Sequence, residues 1–147
     1  MERIGSLDAF WPYYLGEHRN PVDRILHFVG TSWFFLVLIG CFVSSPLWFP
    51  VAFVLGAGAT WYGATRMEAQ RAAFVPMAFM LIVGTIAAPA FLSGVVGAYA
   101  CAWVGHFVVE KNRPATFKYP VWSFLSDFRM WGHMVTGRLW SGDPVPQ

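Results

Sequence analysis

Gly105-His106-Phe107-Val108-Val109-Glu110-Lys111-Asn112-Arg113-Pro114 closes an apolar run of membrane-span character and opens onto a burst of polar groups. On a helix, positions i and i+4 lie one above the other, so His106 and Glu110 are expected on one face at the polar end of a span. Such a pair suits a metal site or a capped helix end. The rest of the chain decides between them by what it brings within reach.

Composition sets the class. Of 147 residues, 56% are hydrophobic, 18% aromatic and 12% charged, against roughly 25% charged in an ordinary soluble domain. The net charge of +2 is small, and no Lys or Arg run interleaves with the aromatics, so no nucleic-acid partner is expected. Cys41 and Cys101 both lie in apolar runs and outline neither a disulfide framework nor a zinc motif. The acidic N-terminal residues do not read as a signal peptide.

Hydropathy predicts four spans, at about 26–43, 47–65, 72–92 and 94–109, the last two joined by a turn at Ser93-Gly94. Before them, residues 6–17 read as a short interfacial helix, capped by Ser6 and rich in Trp and Tyr. Asn20-Pro21-Val22-Asp23 spells the start of the first spanning helix, with a cap, a proline at the first position and an acid behind it. The tail, 110–147, carries an amphipathic helix between Phe117 and Trp140 that lies on the same surface or forms a lid. The fold class is therefore all-α: one integral membrane bundle of four transmembrane helices over 1–147, with interfacial amphipathic helices at both termini. Glycines along the spans fit close helix packing in lipid.

The basic residues orient it. All ten fall in three places: Arg3, Arg19 and Arg24; Arg66 and Arg71; and Lys111, Arg113, Lys118, Arg129 and Arg138. The positive-inside rule then puts both termini and the middle loop in the cytoplasm, in a bacterial inner membrane or endoplasmic reticulum. That topology gathers His18, His27, His106 and His133 on one side. Counting from Gly94, His106 sits about 18 Å along its helix, inside a roughly 30 Å core. Buried ionisable groups of this kind face a bundle interior or cavity and mark function. The plainer reading makes the histidines hydrogen-bonded helix-end groups. Imidazoles suit Fe, Zn, Cu or Ni, and three of them, or two with a carboxylate, leave positions open for substrate and O₂ on a non-haem iron. Glu110, Asp23 and Asp127 are the carboxylates available as ligands or as groups that orient the rings.

Two motifs go further. Tyr14-Leu15-x-x-His18-x-x-Pro21-x-x-Arg24-x-Leu26-His27-x-x-Gly30-Thr31 is followed by Gly105-His106-Phe107-x-x-Glu110-Lys111-Asn112-Arg113-Pro114-Ala115-Thr116-Phe117 and Pro120-x-x-Ser123-x-x-x-Asp127-Phe128-x-Met130. Together they resemble the Mpo1-like family, over nearly the whole chain. The resemblance implies a small multi-span membrane protein and an iron(II)-dependent dioxygenase that shortens 2-hydroxy fatty acids by one carbon in fatty-acid α-oxidation. It places His18, His27 and His106 on the family's histidine positions; His133 lies beyond the matched motif and is kept as a fourth candidate ligand. Fe(II) is the implied cofactor, with a 2-hydroxy fatty acid and O₂ as substrates and the lipid bilayer as surroundings.

Further candidate site residues are Glu110, Arg24, Lys111, Asn112 and Arg113. Arg24, Lys111 or Arg113 would neutralise the substrate carboxylate, arginine by its planar fork. Asn112 opens the frame that turns the chain back over the site. Three rivals stand beside this reading. A di-iron hydroxylase needs more histidines than four. A haem bundle would pair His27 with His106, and a scaffold or small transporter would use His106 and Glu110 structurally. Homo-oligomer formation stays open.

Overall fold

The first helix, α1 (Leu7–Glu17), starts where Ser6 accepts a hydrogen bond from the Ala9 backbone N–H at 3.2 Å. Its inward side carries Phe10 and Tyr14, both fully buried. α2 (Pro21–Ser44) begins at the expected cap, with Asn20 accepting from the Val22 N–H at 2.9 Å. Asp23, His27, Gly30, Phe34 and Cys41 recur every three to seven residues along it as one buried stripe. α3 is Trp48–Arg66; a 3₁₀ turn at Gln70–Ala73 leads into α4 (Phe74–Ala87), and α5 is Ala90–Val104. α5 continues as a π-helical turn, Gly105–Glu110, before a 3₁₀ turn at Ala115–Phe117 and α6 (Pro120–Val135). The computed structural model describes residues 4–66 and 70–145, without the side chains of Gln70 and Arg71, so Arg3 and the Arg71 side chain lie outside the described residues. Among those described, every regular element is helical.

α2 and α5 pack antiparallel along their length. Gly30 lies against Ala98 and Cys101, and Gly94 against Val37, while at the other end a Cβ on Gly105 would collide with the Asp23 carboxylate. α3 and α4 form a second antiparallel pair, with Gly56 pressed on Met80. α6 packs against α1, α2 and α3 and closes one end of the two pairs. Trp131 Nε1 donates to Ser32 Oγ at 2.9 Å, and Trp122 Nε1 to the Ile4 carbonyl at 3.1 Å. The tail helix is thus a roof over the helix ends.

The turn between the third and fourth apolar stretches lies at Ala88-Pro89, not at Ser93-Gly94. Proline cannot continue the α4 hydrogen-bond ladder and drives its predecessor extended, and Ala88 sits at φ −150°, ψ 101°. Ser93 stays inside α5 by returning its hydroxyl to the Ala90 carbonyl at 2.7 Å. The expected third span is accordingly a 14-residue helix. Starting from Ala90, His106 lies about 24 Å along its helix, nearer the rim than the sequence suggests.

Among the described residues, two helices are long and apolar enough to cross a membrane: Pro21–Ser44, and Ala90–Glu110 with its π turn. Their outward sides expose large apolar groups such as Leu36, Val43, Val96 and Val108.

Candidate metal centre

Three histidines from three elements converge beneath the roof. His18 ends α1, His27 lies two turns into α2, and His106 stands in the π turn after α5. Their ring centroids are 4.5 Å (His18–His27), 4.6 Å (His18–His106) and 5.2 Å (His27–His106) apart. Each offers one nitrogen, all three within 4.8 Å of one another, and all three residues are buried.

Local chemistry fixes each ring. At the end of α1 the His18 N–H turns back to the Leu15 carbonyl, which leaves the Tyr14 carbonyl without its helical partner. His18 Nδ1–H fills that place at 2.6 Å. His27 Nδ1–H donates to Asp127 Oδ1 on α6 at 3.0 Å. His106 Nδ1–H donates to Asn112 Oδ1 at 2.8 Å, and the amide is held that way round because its Nδ2 donates to the Glu17 carbonyl and carboxylate at 2.8 and 3.0 Å. All three Nδ1 atoms are engaged at the periphery, so the Nε2 atoms carry the free lone pairs. Those of His18 and His27 are buried and make no hydrogen bond. Burial, and then the neighbouring imidazoles, hold His18 well below the ordinary imidazole range, so it is neutral and a ready donor to a cation. Three converging buried imidazoles, two of them with orphaned nitrogens, fit a divalent transition metal, with oriented acceptors behind each ring. The described residues contain one such group.

A family model described as "2-hydroxy-palmitic acid dioxygenase Mpo1-like" matches residues 4–90 and 74–139, which together carry all three histidines. The chain belongs to the Mpo1-like family. Neither the curated proteins nor the solved structures give a match.

Within this Mpo1-like chain the other candidates fall in different places. His133 is not in the group. It stacks on Trp11 at 5.5 Å, because six residues beyond Asp127 turn it about 240° around α6, away from the site. Glu110 is not in the group either; its Oε1 accepts from the Asn20 N–H at 2.5 Å and ties the π turn to the start of α2. Arg24 is fully buried, but its donors are committed to carbonyls: Nε to Leu139 at 2.7 Å, Nη1 to His18 and Arg19 at 3.0 and 2.7 Å, and Nη2 to Gly142 at 2.8 Å. It clamps the tail to the α1–α2 turn and is not free for a substrate carboxylate. Lys111, in the left-handed region at φ 57°, and Arg113 are exposed at the rim. Asn112 does lie at the site, as the partner of His106.

Tyr14 is the residue that the sequence reading left among interfacial aromatics. Its ring stacks on His18 at 3.9 Å and its hydroxyl donates to Asp127 Oδ1 at 2.5 Å, so one carboxylate oxygen serves both Tyr14 and His27. The available signal was its spacing, i to i+4 from His18 on one short helix. A haem between His27 and His106 is ruled out by the third ring, which lies against both.

A cavity lined by His27, Thr31, Phe34, Tyr99, Phe124 and Asp127 lies beside His27, between α2, α5 and α6. Phe34 and Phe124 also line two apolar crevices between the helix pairs, the larger about 1060 Å³ including its open mouth.

Proposed function

We propose that this protein is an Fe(II)-dependent dioxygenase that shortens 2-hydroxy long-chain fatty acids by one carbon. The observation that carries the reading is the convergence of three buried imidazoles, each pinned through Nδ1, in a chain of the Mpo1-like family. His18, His27 and His106 would hold the iron, and three neutral nitrogens leave positions open beside it. Bound Fe(II) would supply the activation of O₂ next to the first two carbons of the acid. The overall change, R–CH(OH)–COOH plus O₂ to R–COOH, CO₂ and water, balances without another reductant.

The chain's own residues supply orientation and enclosure. Asp127, Asn112 and the Tyr14 carbonyl hold the three tautomers. α1 and α6 cover the centre, and the apolar crevices past Phe34 and Phe124 take the acyl chain. Lys111 and Arg113, exposed at the rim, meet the carboxylate in place of the engaged Arg24.

The setting we propose is a bilayer, crossed by α2, α3, α4 and α5 with both termini cytoplasmic. In support, the apolar windows of the two longest candidates are only 28% and 17% buried, unlike the core helices of a water-soluble domain. The bilayer then delivers the substrate directly to the crevices. To test the activity, membranes containing the protein are supplied with 2-hydroxyhexadecanoate, Fe(II) and O₂, and pentadecanoate is followed. Full turnover by His106→Ala, or under a strong iron chelator, contradicts the proposal.

A further inference from the structure

Asn20-Pro21-Val22-Asp23 has the spacing of a capping box, in which an acid three residues into the helix reaches back to the N–H of its capping residue. Here that N–H goes to Glu110. Asp23 is released from the task its position normally carries. Its carboxylate is fully buried, neither oxygen makes a hydrogen bond, and Oδ1 lies 3.6 Å from His27 Nε2. It stands beside the three-histidine group without being part of it. The backbone is shaped around this carboxylate: it occupies the space a side chain at position 105 would need, and Gly105 supplies none.

A carboxylate accepts hydrogen bonds and offers none, and burying one without a donor is costly. The nearest imidazole nitrogen, His27 Nε2 at 3.6 Å, lies beyond hydrogen-bond reach, and neither Asp23 oxygen has a protein donor. A hydroxyl group brought to the histidines would supply one.

We infer that Asp23 distinguishes a 2-hydroxy acid from an unsubstituted one, its carboxylate accepting the hydrogen bond of the 2-hydroxyl group. The inference rests on the reading of the site as one for 2-hydroxy acids. It makes Asp23 a specificity-determining residue, and Glu110 the group that frees it.

The test compares anaerobic binding of 2-hydroxyhexadecanoate and hexadecanoate to the Fe(II)-loaded protein in lipid nanodiscs, with iron content measured alongside. Removing a hydrogen bond to a charged acceptor should reduce the preference for the hydroxy acid about ten- to hundred-fold in Asp23→Ala and less in Asp23→Asn. Hexadecanoate binding and iron content should stay at wild-type levels. Should Asp23→Ala fold poorly, Asp23→Asn carries the comparison. An unchanged preference in the folded variants overturns the inference, and so does loss of iron, which would make Asp23 a ligand. Failure of the dioxygenase reading looks different: an Asp23-dependent preference with no pentadecanoate once O₂ is admitted.

Discussion

His27 Nδ1 donates to Asp127 Oδ1 across 3.0 Å, joining α2 to the roof helix α6 and fixing which nitrogen of His27 faces the centre. A carboxylate behind a ligating imidazole orients the ring and raises its basicity, and removing such partners typically lowers metal affinity 10- to 100-fold. Asp127→Asn is therefore expected to weaken metal binding by about that factor, as measured by competition with a chelator of known affinity. Tyr14→Phe, which removes a second donor to the same oxygen but leaves His27 its acceptor, should weaken it less.

Arg24 is the structural counterpart of that pair. Its replacement by Met keeps the stem and strands four carbonyl bonds at the junction of the tail and the α1–α2 turn. A loss on the order of 3 kcal/mol is expected, read as a lower midpoint of thermal unfolding. Arg113→Ala, at an exposed rim position, should stay within about 0.5 kcal/mol of wild type. Equal effects of the two substitutions would refute the clamp.

These two residues also mark how far the sequence could be read. The helix starts at Ser6 and Asn20 were legible because caps are local hydrogen bonds between near neighbours. The gathering of His18, His27 and His106 was legible because the charge pattern placed them at one end of the chain's fold. The turn at Ala88-Pro89 was also written locally, but the apolar run across it masks the proline in a hydropathy window. The π turn was not written locally. It goes with the partners that Asn112 and Glu110 find, on α1 and at the head of α2, which commit Glu110 to the Asn20 N–H and leave it outside the histidine group. Arg24 and His133 turn elsewhere for a related reason: residue type and nearness to one end of the helices say nothing of which way a side chain turns.

Acid should empty the centre. His18 titrates well below the ordinary imidazole value of 6.5, so the folded chain stays unprotonated there while the unfolded chain takes up a proton. The unfolded state then binds more protons as pH falls through 6.5, and stability drops in that window, while above it neither state is protonated there and stability is unaffected. Metal retention should fall in the same range, because protons compete for the ligand nitrogens. Retention and thermal midpoint measured from pH 8 to pH 5 should decline together; flat curves would contradict a neutral, buried His18.

Gly105→Ala tests the packing of the π turn on α2. The added methyl meets the end of the Asp23 side chain, which is buried and must turn within the core to make room. A lower thermal midpoint is expected, as overpacking of this kind typically costs 1–3 kcal/mol. Gly132→Ala, inside α6 where the same addition meets nothing, should instead raise it slightly through helix propensity.

The central claim is that His18, His27 and His106 are one metal centre and His133 is not part of it. Elemental analysis of the purified protein and its four single His→Ala variants, each loaded with Fe(II) under the same anaerobic conditions, tests this most directly. The account predicts one iron per chain in the wild type and in His133→Ala, and loss of tight iron from each of the other three. Stoichiometric iron retained in His18→Ala, His27→Ala and His106→Ala alike would contradict it.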